Sequence, residues 1–463
     1  MVGRRAGPLL SACAMLTLAA PARTQTPRPG LVLPWRPLRF DENYAYLRDS
    51  VRHGWWQALK YLPIGGWSSL SFGGEVRAEY ERLDHPGFGA LPADRSGYEL
   101  TRLMFHADWR LGSRLRLFGQ LASAQEAGRI GGARPTDVDT LDVRQAFAEF
   151  TQPIVSGRLW GRVGRQELAF GGTRLVATRE AANVRRSFDA VRGGFAGQRV
   201  AVDLFWGREV LVGPGLFDDE RDSTRYTCGA FSTVTLRRDQ AWLDVYLFRD
   251  HRDLTTFAQG TAPTNRWTAG AVSRGRHGQW EWNVEGLYQW GRFGTAPINA
   301  YDGILDVAYT FRTLWQPRLA LRGSQSSGDR NPNDPALQSL DPLYPRAVAL
   351  RGAPVGPVNL TNIHPGLDLQ LSRRLSTYVD LDVFWRTRNT DGIYDAGGGL
   401  VRTAVSTPAR YIGMQPGWEL DWYIGPYVHA ELAYAHFFPG PAMTQSGPGL
   451  AMNYVLASTT FTF

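Results

Sequence analysis

The stretch YVDLDVFWR, Tyr378–Arg386, alternates with a period of two. Val379, Leu381, Val383 and Trp385 share one face, while Asp380, Asp382 and Arg386 share the other. Side chains of a β-strand point to opposite sides in turn, so this run is a strand with one apolar and one charged face. The pattern recurs along the chain. Trp280–Trp290 sets Trp282, Val284 and Tyr288 against Glu281, Asn283 and Glu285. Arg114–Gln120 sets Leu115 and Leu117 against Arg116 and Gln120, and Pro426–Tyr434 sets Val428, Leu432 and Tyr434 against His429 and Glu431.

Soluble sandwiches alternate too, so the spacing between runs has to decide. From Trp67 onward the gaps go long, short, long, short. Long ones fall near 81–97, 127–138, 168–186, 208–224, 251–265, 291–299, 325–357, 387–407 and 438–451. Short ones fall at 111–113, 152–156, 197, 237–239, 277–278, 312–315, 372–373 and 425. Short turns on one side and long loops on the other mark an outer-membrane barrel, and an even strand number returns both ends to one side. The expectation is an all-β fold: a transmembrane, antiparallel, up-and-down β-barrel of about 18 strands over 67–463, of the bacterial outer-membrane type with both termini periplasmic. The chain closes on an alternating run with Val455, Ala457, Phe461 and Phe463 on one face. Such a last strand must pair with the first, because an open edge cannot face lipid.

Composition agrees. Outside the extreme N-terminus no uncharged apolar window is long enough for a membrane helix. Met1 to Ala22 reads as a secretory signal: Arg4-Arg5, an apolar stretch from Leu9 to Ala19, then Ala20-Pro21-Ala22. Removing it takes Cys13 and leaves Cys228 alone, so no internal disulfide is expected. Residues 23–66, rich in proline, arginine and tryptophan, read as a periplasmic lead-in or a plug.

Net charge is +8, and Lys60 is the only lysine. Guanidinium forks bind carboxylates bidentately, which an ammonium cannot do. Basic and acidic residues are interspersed, so nucleic acid is not an expected partner. No esterase, metalloprotease or phosphate-loop motif stands in its required context, so neither catalysis nor a cofactor or metal ion is expected.

Arginine concentrates in Gly161–Phe195, GRVGRQELAFGGTRLVATREAANVRRSFDAVRGGF, where Gly171-Gly172 opens an excursion between two strands. With apolar side chains toward lipid, parity sends Arg77, Arg102, Arg116, Arg144, Arg162, Arg192, Arg318, Arg322 and Arg386 into the lumen. Acids dominate the inward face from Asp203 to Asp306. Most of these charges are expected to pair with one another and a minority to touch solute; rings of arginine select anions.

The chain resembles the alginate export family of outer-membrane barrels. The matching runs are RFDENYAYLRD (Arg39–Asp49), GRQELAFGGTRLVATRE (Gly164–Glu180), NVRRSFDAVRG (Asn183–Gly193), SGDRNPND (Ser327–Asp334), LDPLYPR (Leu340–Arg346), DVFWRTRNTDGIYD (Asp382–Asp395), ARYIG (Ala409–Gly413) and HFFPG (His436–Gly440). The resemblance implies a monomeric 18-stranded barrel whose electropositive constriction passes a polyuronate beneath loops that can cover the pore. It implies outer-membrane lipid and lipopolysaccharide around the barrel, an anionic polysaccharide or small anions within it, and leaves periplasmic export machinery open. It carries a solute-binding role to Arg144, Arg162, Arg165, Arg174, Arg179, Arg185, Arg186 and Arg192. Arg77, Arg102 and Arg386 join them on parity. A porin for small anionic or aromatic nutrients is the alternative.

Overall fold

The computed structural model describes residues 35–48, 54–92, 96–346, 355–404 and 407–463. The expected signal at 1–22 and the first part of the 23–66 segment lie outside the described residues.

Eighteen strands form one closed antiparallel barrel. They are β1 (Ser68–Leu83), β2 (Tyr98–Leu111), β3 (Leu115–Ala127), β4 (Asp139–Ile154), β5 (Gly157–Gln166), β6 (Phe188–Gly197), β7 (Val200–Leu211), β8 (Arg225–Arg237) and β9 (Ala241–Phe257). The circuit continues through β10 (Gly260–His277), β11 (Trp280–Phe293), β12 (Ala296–Thr310), β13 (Arg318–Ser326), β14 (Leu360–Gln370), β15 (Leu375–Arg386), β16 (Tyr411–Tyr423), β17 (Val428–Pro439) and β18 (Met452–Thr462). Each pairs with its chain neighbours, and β18 returns to β1 in a register running from Glu75↔Thr462 to Leu83↔Tyr454. Beyond the end of β18, Leu62–Ile64 folds back on the start of β1 and covers the remaining edge.

Alternation is realised as expected. Leu103, Leu117, Val163, Leu204, Leu247, Val284, Leu321, Val379 and Leu432 stand exposed on the outer face, where lipid would cover them. Exposed rings gather at both levels of that face: Trp67, Trp109, Phe150, Trp280 and Trp422 toward the short turns, and Tyr80, Trp206, Trp290 and Tyr434 toward the other end. Apolar bands flanked by aromatic girdles are the mark of strands crossing a bilayer.

Two of the expected long loops are not loops. Residues 251–265 and 291–299 continue as paired strand, so β9–β10 and β11–β12 end in turns of two residues, 258–259 and 294–295. Past the lipid an outward side chain need not be apolar, so alternation fades there while the backbone still pairs.

The described part of the 23–66 segment lies against the inner wall at the short-turn end. Phe40 meets Phe118 and Phe147 edge-on, at centroid separations of 6.3 and 5.7 Å. Arg39 donates to the carbonyl oxygens of Phe463 (2.7 Å) and Gly74 (3.2 Å), tying this segment to the closing seam. Helix α1 (Gly54–Lys60) follows. Its Lys60 Nζ is buried 3.9 Å from Glu42 and above the Tyr44 ring.

Leu103→Arg, midway along the outer face of β2, is expected to destabilise the barrel in lipid by about 2–4 kcal/mol, measured by urea titration in vesicles. A second expectation concerns Lys60, the only side-chain amine. Burial lowers its pKa to about 8 from 10.5, with Glu42 opposing and Arg39 assisting. The docked amine binds fewer protons than the free one between those values, so seating of the segment strengthens as pH rises through that window. Near pH 9, acylation of Lys60 in the intact barrel should run about tenfold slower than in the unfolded chain, as for a group reached only by local opening. Equal rates would mean the segment is not seated.

Candidate functional site

Residues 167–187, between β5 and β6, turn inward and cross the lumen. The turn begins with Gly171 (φ +53°) and Thr173 (φ +58°), left-handed conformations that glycine adopts without cost. It drives Phe170 into a stack of rings from the wall, with centroids 4.7 Å from Phe205, 5.6 Å from Phe231 and 5.8 Å from Phe248. Leu175 and Val176 then meet Tyr344, which enters from the connection between β13 and β14. A void of about 10 Å³ remains between this loop and the wall at Arg174, Tyr246 and Glu285. The loop and that connection pack against each other and against the wall here.

The loop is anchored on both walls. Arg174 reaches Asp302 of β12 (Nε–Oδ2 2.8 Å). At the other end Asn183 donates to the backbone of Thr101 in β2 and Gln125 in β3 (both 3.1 Å). Arg77 of β1 donates to Asn183 Oδ1 (3.1 Å).

Nearly every arginine expected to meet solute has a carboxylate already bound. Arg144 is fully buried and donates to Asp139 (2.7 Å), Asp219 (2.6 Å) and the Arg185 carbonyl. Arg162 binds Glu149 (2.8 Å) with its guanidinium over the Phe40 ring, and its Nη1 is buried without an acceptor among the described residues. Arg165 binds Asp189 (3.0 Å), Arg186 binds Glu209 (2.8 Å) and Arg192 binds Asp203. Arg102 binds Glu75 (2.6 Å) and also Glu180 of the crossing loop. Arg185 binds Glu167 and Glu180, both at 2.8 Å, and donates to the Pro37 carbonyl (3.0 Å). Arg77 lies 3.7 Å from Glu79.

Two arginines differ. Arg179 (φ +57°) donates to the Val184 carbonyl and meets no carboxylate among the described residues. Burial and the nearby Arg186 lower its pKa to about 10. Arg386 sits at the loop end of β15 and spends its donors on carbonyls of the 387–410 connection, including Thr407 (2.5 Å) and Ala409 (3.0 Å). It is placed to hold that connection rather than to face a solute.

The pairing is largely between adjacent strands. Arg165↔Asp189, Arg322↔Asp306, Arg318↔Asp368 and Arg162↔Glu149 are directly opposite one another in the ladder, where side chains are closest. The acidic wall is compensated in the same way: Asp244 by Arg274 and Asp250 by Arg225 and Arg252. Asp139, Asp142 and Asp219 converge within 4.8 Å, with Arg144 bonded to two of them.

Glu180 lies among several guanidiniums. Burial would raise its pKa, but Arg102, Arg185 and Arg77 outweigh that and hold it at about 2. Reading the sequence missed Glu180 as a site residue. It missed Tyr344 and Arg225 too, whose guanidinium lies 3.6 Å from the Tyr344 ring. Tyr344 falls within LDPLYPR, a run quoted for its resemblance but not weighed for chemistry.

A family model described as alginate export matches residues 68–458. No curated protein matches the chain. Among solved structures, Pseudomonas aeruginosa OccK3 (OpdO) is 11% identical, with a TM-score of 0.57 over 85% of this chain and 95% of that one. P. aeruginosa OccK2 (OpdF), solved in complex with glucuronate, is 8% identical with a TM-score of 0.57, covering 85% and 98%. P. aeruginosa OpdK, solved with vanillate, is 10% identical with a TM-score of 0.54, covering 85% and 98%. These likenesses establish a shared barrel fold.

Arg386→Met leaves several buried carbonyls without a donor, at about 1–3 kcal/mol for each group stranded. Limited proteolysis should show new cleavage within 387–410, while ion selectivity in a planar bilayer stays as in the parent protein.

Proposed function

The chain belongs to the alginate export family, and on that premise we propose that this outer-membrane barrel conducts an anionic saccharide, a polyuronate of the alginate kind, past its lumen arginines. One observation carries the reading. The arc β1–β6 and the loop crossing from it hold Arg77, Arg102, Arg144, Arg162, Arg165, Arg174, Arg179, Arg185, Arg186 and Arg192, most of them already gripping a carboxylate. A wall that binds carboxylates through many forks can take those of a passing chain by exchange. Each charge-assisted bond contributes about 1.5–3 kcal/mol, and replacing one carboxylate by another costs little net. Many such contacts let a polymer advance without being trapped.

In this reading the short turns and both termini face the periplasm, and residues 35–48 form a plug at that mouth. One chain makes one pore, since the barrel closes on itself. Lipid and lipopolysaccharide surround it. The packing of the crossing loop against Tyr344 inside the barrel favours a second reading, passage of small uronates, the class of the ligand in the OccK2 (OpdF) structure.

The test is reversal potential in a salt gradient. The parent channel should prefer anions. Arg162→Gln, Arg186→Gln and Arg192→Gln together take from Asp203 its arginine and leave Glu149 and Glu209 only the longer contacts of Arg116 (3.8 Å) and Arg225 (4.0 Å), and should turn the preference toward cations. An unchanged preference would remove those three from the conduction path. Block by uronate oligomers but not by glucuronate supports the polymer; the converse supports the small solute.

A further inference from the structure

The 167–187 loop brings its own carboxylate to the arginine wall. The two oxygens of Glu180 go to different guanidiniums, Oε1 to Arg102 and Oε2 to Arg185 (2.8 Å). Arg77 closes the third side, donating weakly to the Glu180 and Ala182 carbonyls (both 3.5 Å). Exposure orders the layers. The side chains of Arg102 and Arg185 are 3% and 4% exposed, whereas that of Glu180 is 46% exposed. The carboxylate is therefore the water-facing lid of a buried guanidinium cage.

We propose that Arg77 and Arg102 of the wall, with Arg185 of the loop, form a carboxylate-binding cage that Glu180 fills as a built-in stand-in for solute, so that an entering uronate releases the 179–184 turn by taking its place. The inference rests on the uronate-channel reading above and adds its regulation.

Charge balance explains why release waits for solute. Arg102 and Arg77 keep the wall partners Glu75 and Glu79, Arg185 keeps Glu167 at the start of the loop, and Arg102 and Arg185 share the Glu180 carboxylate in addition. Withdrawing Glu180 alone strands buried donors, whereas replacing it with another carboxylate leaves both charge and donor count unchanged. The docked turn is also held against its backbone preference. Arg179, just before Glu180, is a non-glycine residue at φ +57°, a conformation that persists where surroundings impose it. The guanidiniums of Arg102 and Arg185 outweigh desolvation and leave Glu180 ionised wherever a uronate is ionised. Arg185 also holds the Pro37 carbonyl, so exchange at the cage reaches the N-terminal segment.

Hydrogen exchange of the unmodified protein reports release. D-glucuronate should speed exchange of amides 179–184 about fivefold or more, the lower range of coupling between two sites, whereas glucose at the same concentration should not. In bilayers, Glu180→Gln should raise the open fraction without solute and abolish the response to glucuronate, with Glu180→Asp restoring part of it. Two outcomes are distinct. A parent channel that prefers anions but shows no solute-dependent exchange, and a Glu180→Gln channel like the parent, overturn the latch alone. A parent channel with no anion preference removes the uronate reading beneath it.

Discussion

Closure of β1 onto β18 is the constraint on which everything else depends. A bilayer offers no water to an unpaired amide or carbonyl, so a spanning sheet must have no edge. The seam is completed where Gly74 and Phe463 exchange both backbone hydrogen bonds, at 2.9 and 3.0 Å. Arg39 then donates to the same two carbonyls, and Leu62–Ile64 covers the stretch of β1 that β18 does not reach. Closure also creates an inside, and with it a place for charge that the outer face could not tolerate.

Once an interior exists, its arginines need partners. A desolvated guanidinium without a carboxylate or carbonyl is costly, whereas a bidentate pair satisfies both members. Strand pairing supplies such partners directly across the ladder, which is why Arg165 meets Asp189 and Arg322 meets Asp306. Compensation is local, so the wall can be rich in arginine without a large uncompensated field. The exceptions lie where loops enter: Glu180 shared by Arg102 and Arg185, and Arg174 reaching Asp302 on the far wall.

The crossing loop places a packed body inside the cylinder. Phe170 and Tyr344 contribute an apolar core inside the barrel, joining the ring stack of Phe205, Phe231 and Phe248. Such a plug is held by packing in its middle and by ion pairs at its ends. Exchange of one end for solute is a smaller change than unfolding the whole.

Much was legible in the residues alone. Alternation in Tyr378–Arg386 and its repeats established the strands and their lipid-facing sides, because a two-residue period follows from backbone geometry whatever surrounds it, and the long–short order of the gaps set an even count. Parity likewise sent Arg77, Arg102, Arg144, Arg162 and Arg192 inward. The ends of β9–β10 and β11–β12 were misread because the lipid that imposes alternation is absent there. Tertiary structure alone decided which carboxylate each arginine meets, that Arg386 serves carbonyls of a connection, and that Glu180 belongs among the guanidiniums. Arg102 and Glu180 are far apart in the chain and are brought together by the path of a loop through closed space. Local residue pattern carries the direction of a side chain on a strand; it carries no record of what an inward-turning loop will meet on the opposite wall.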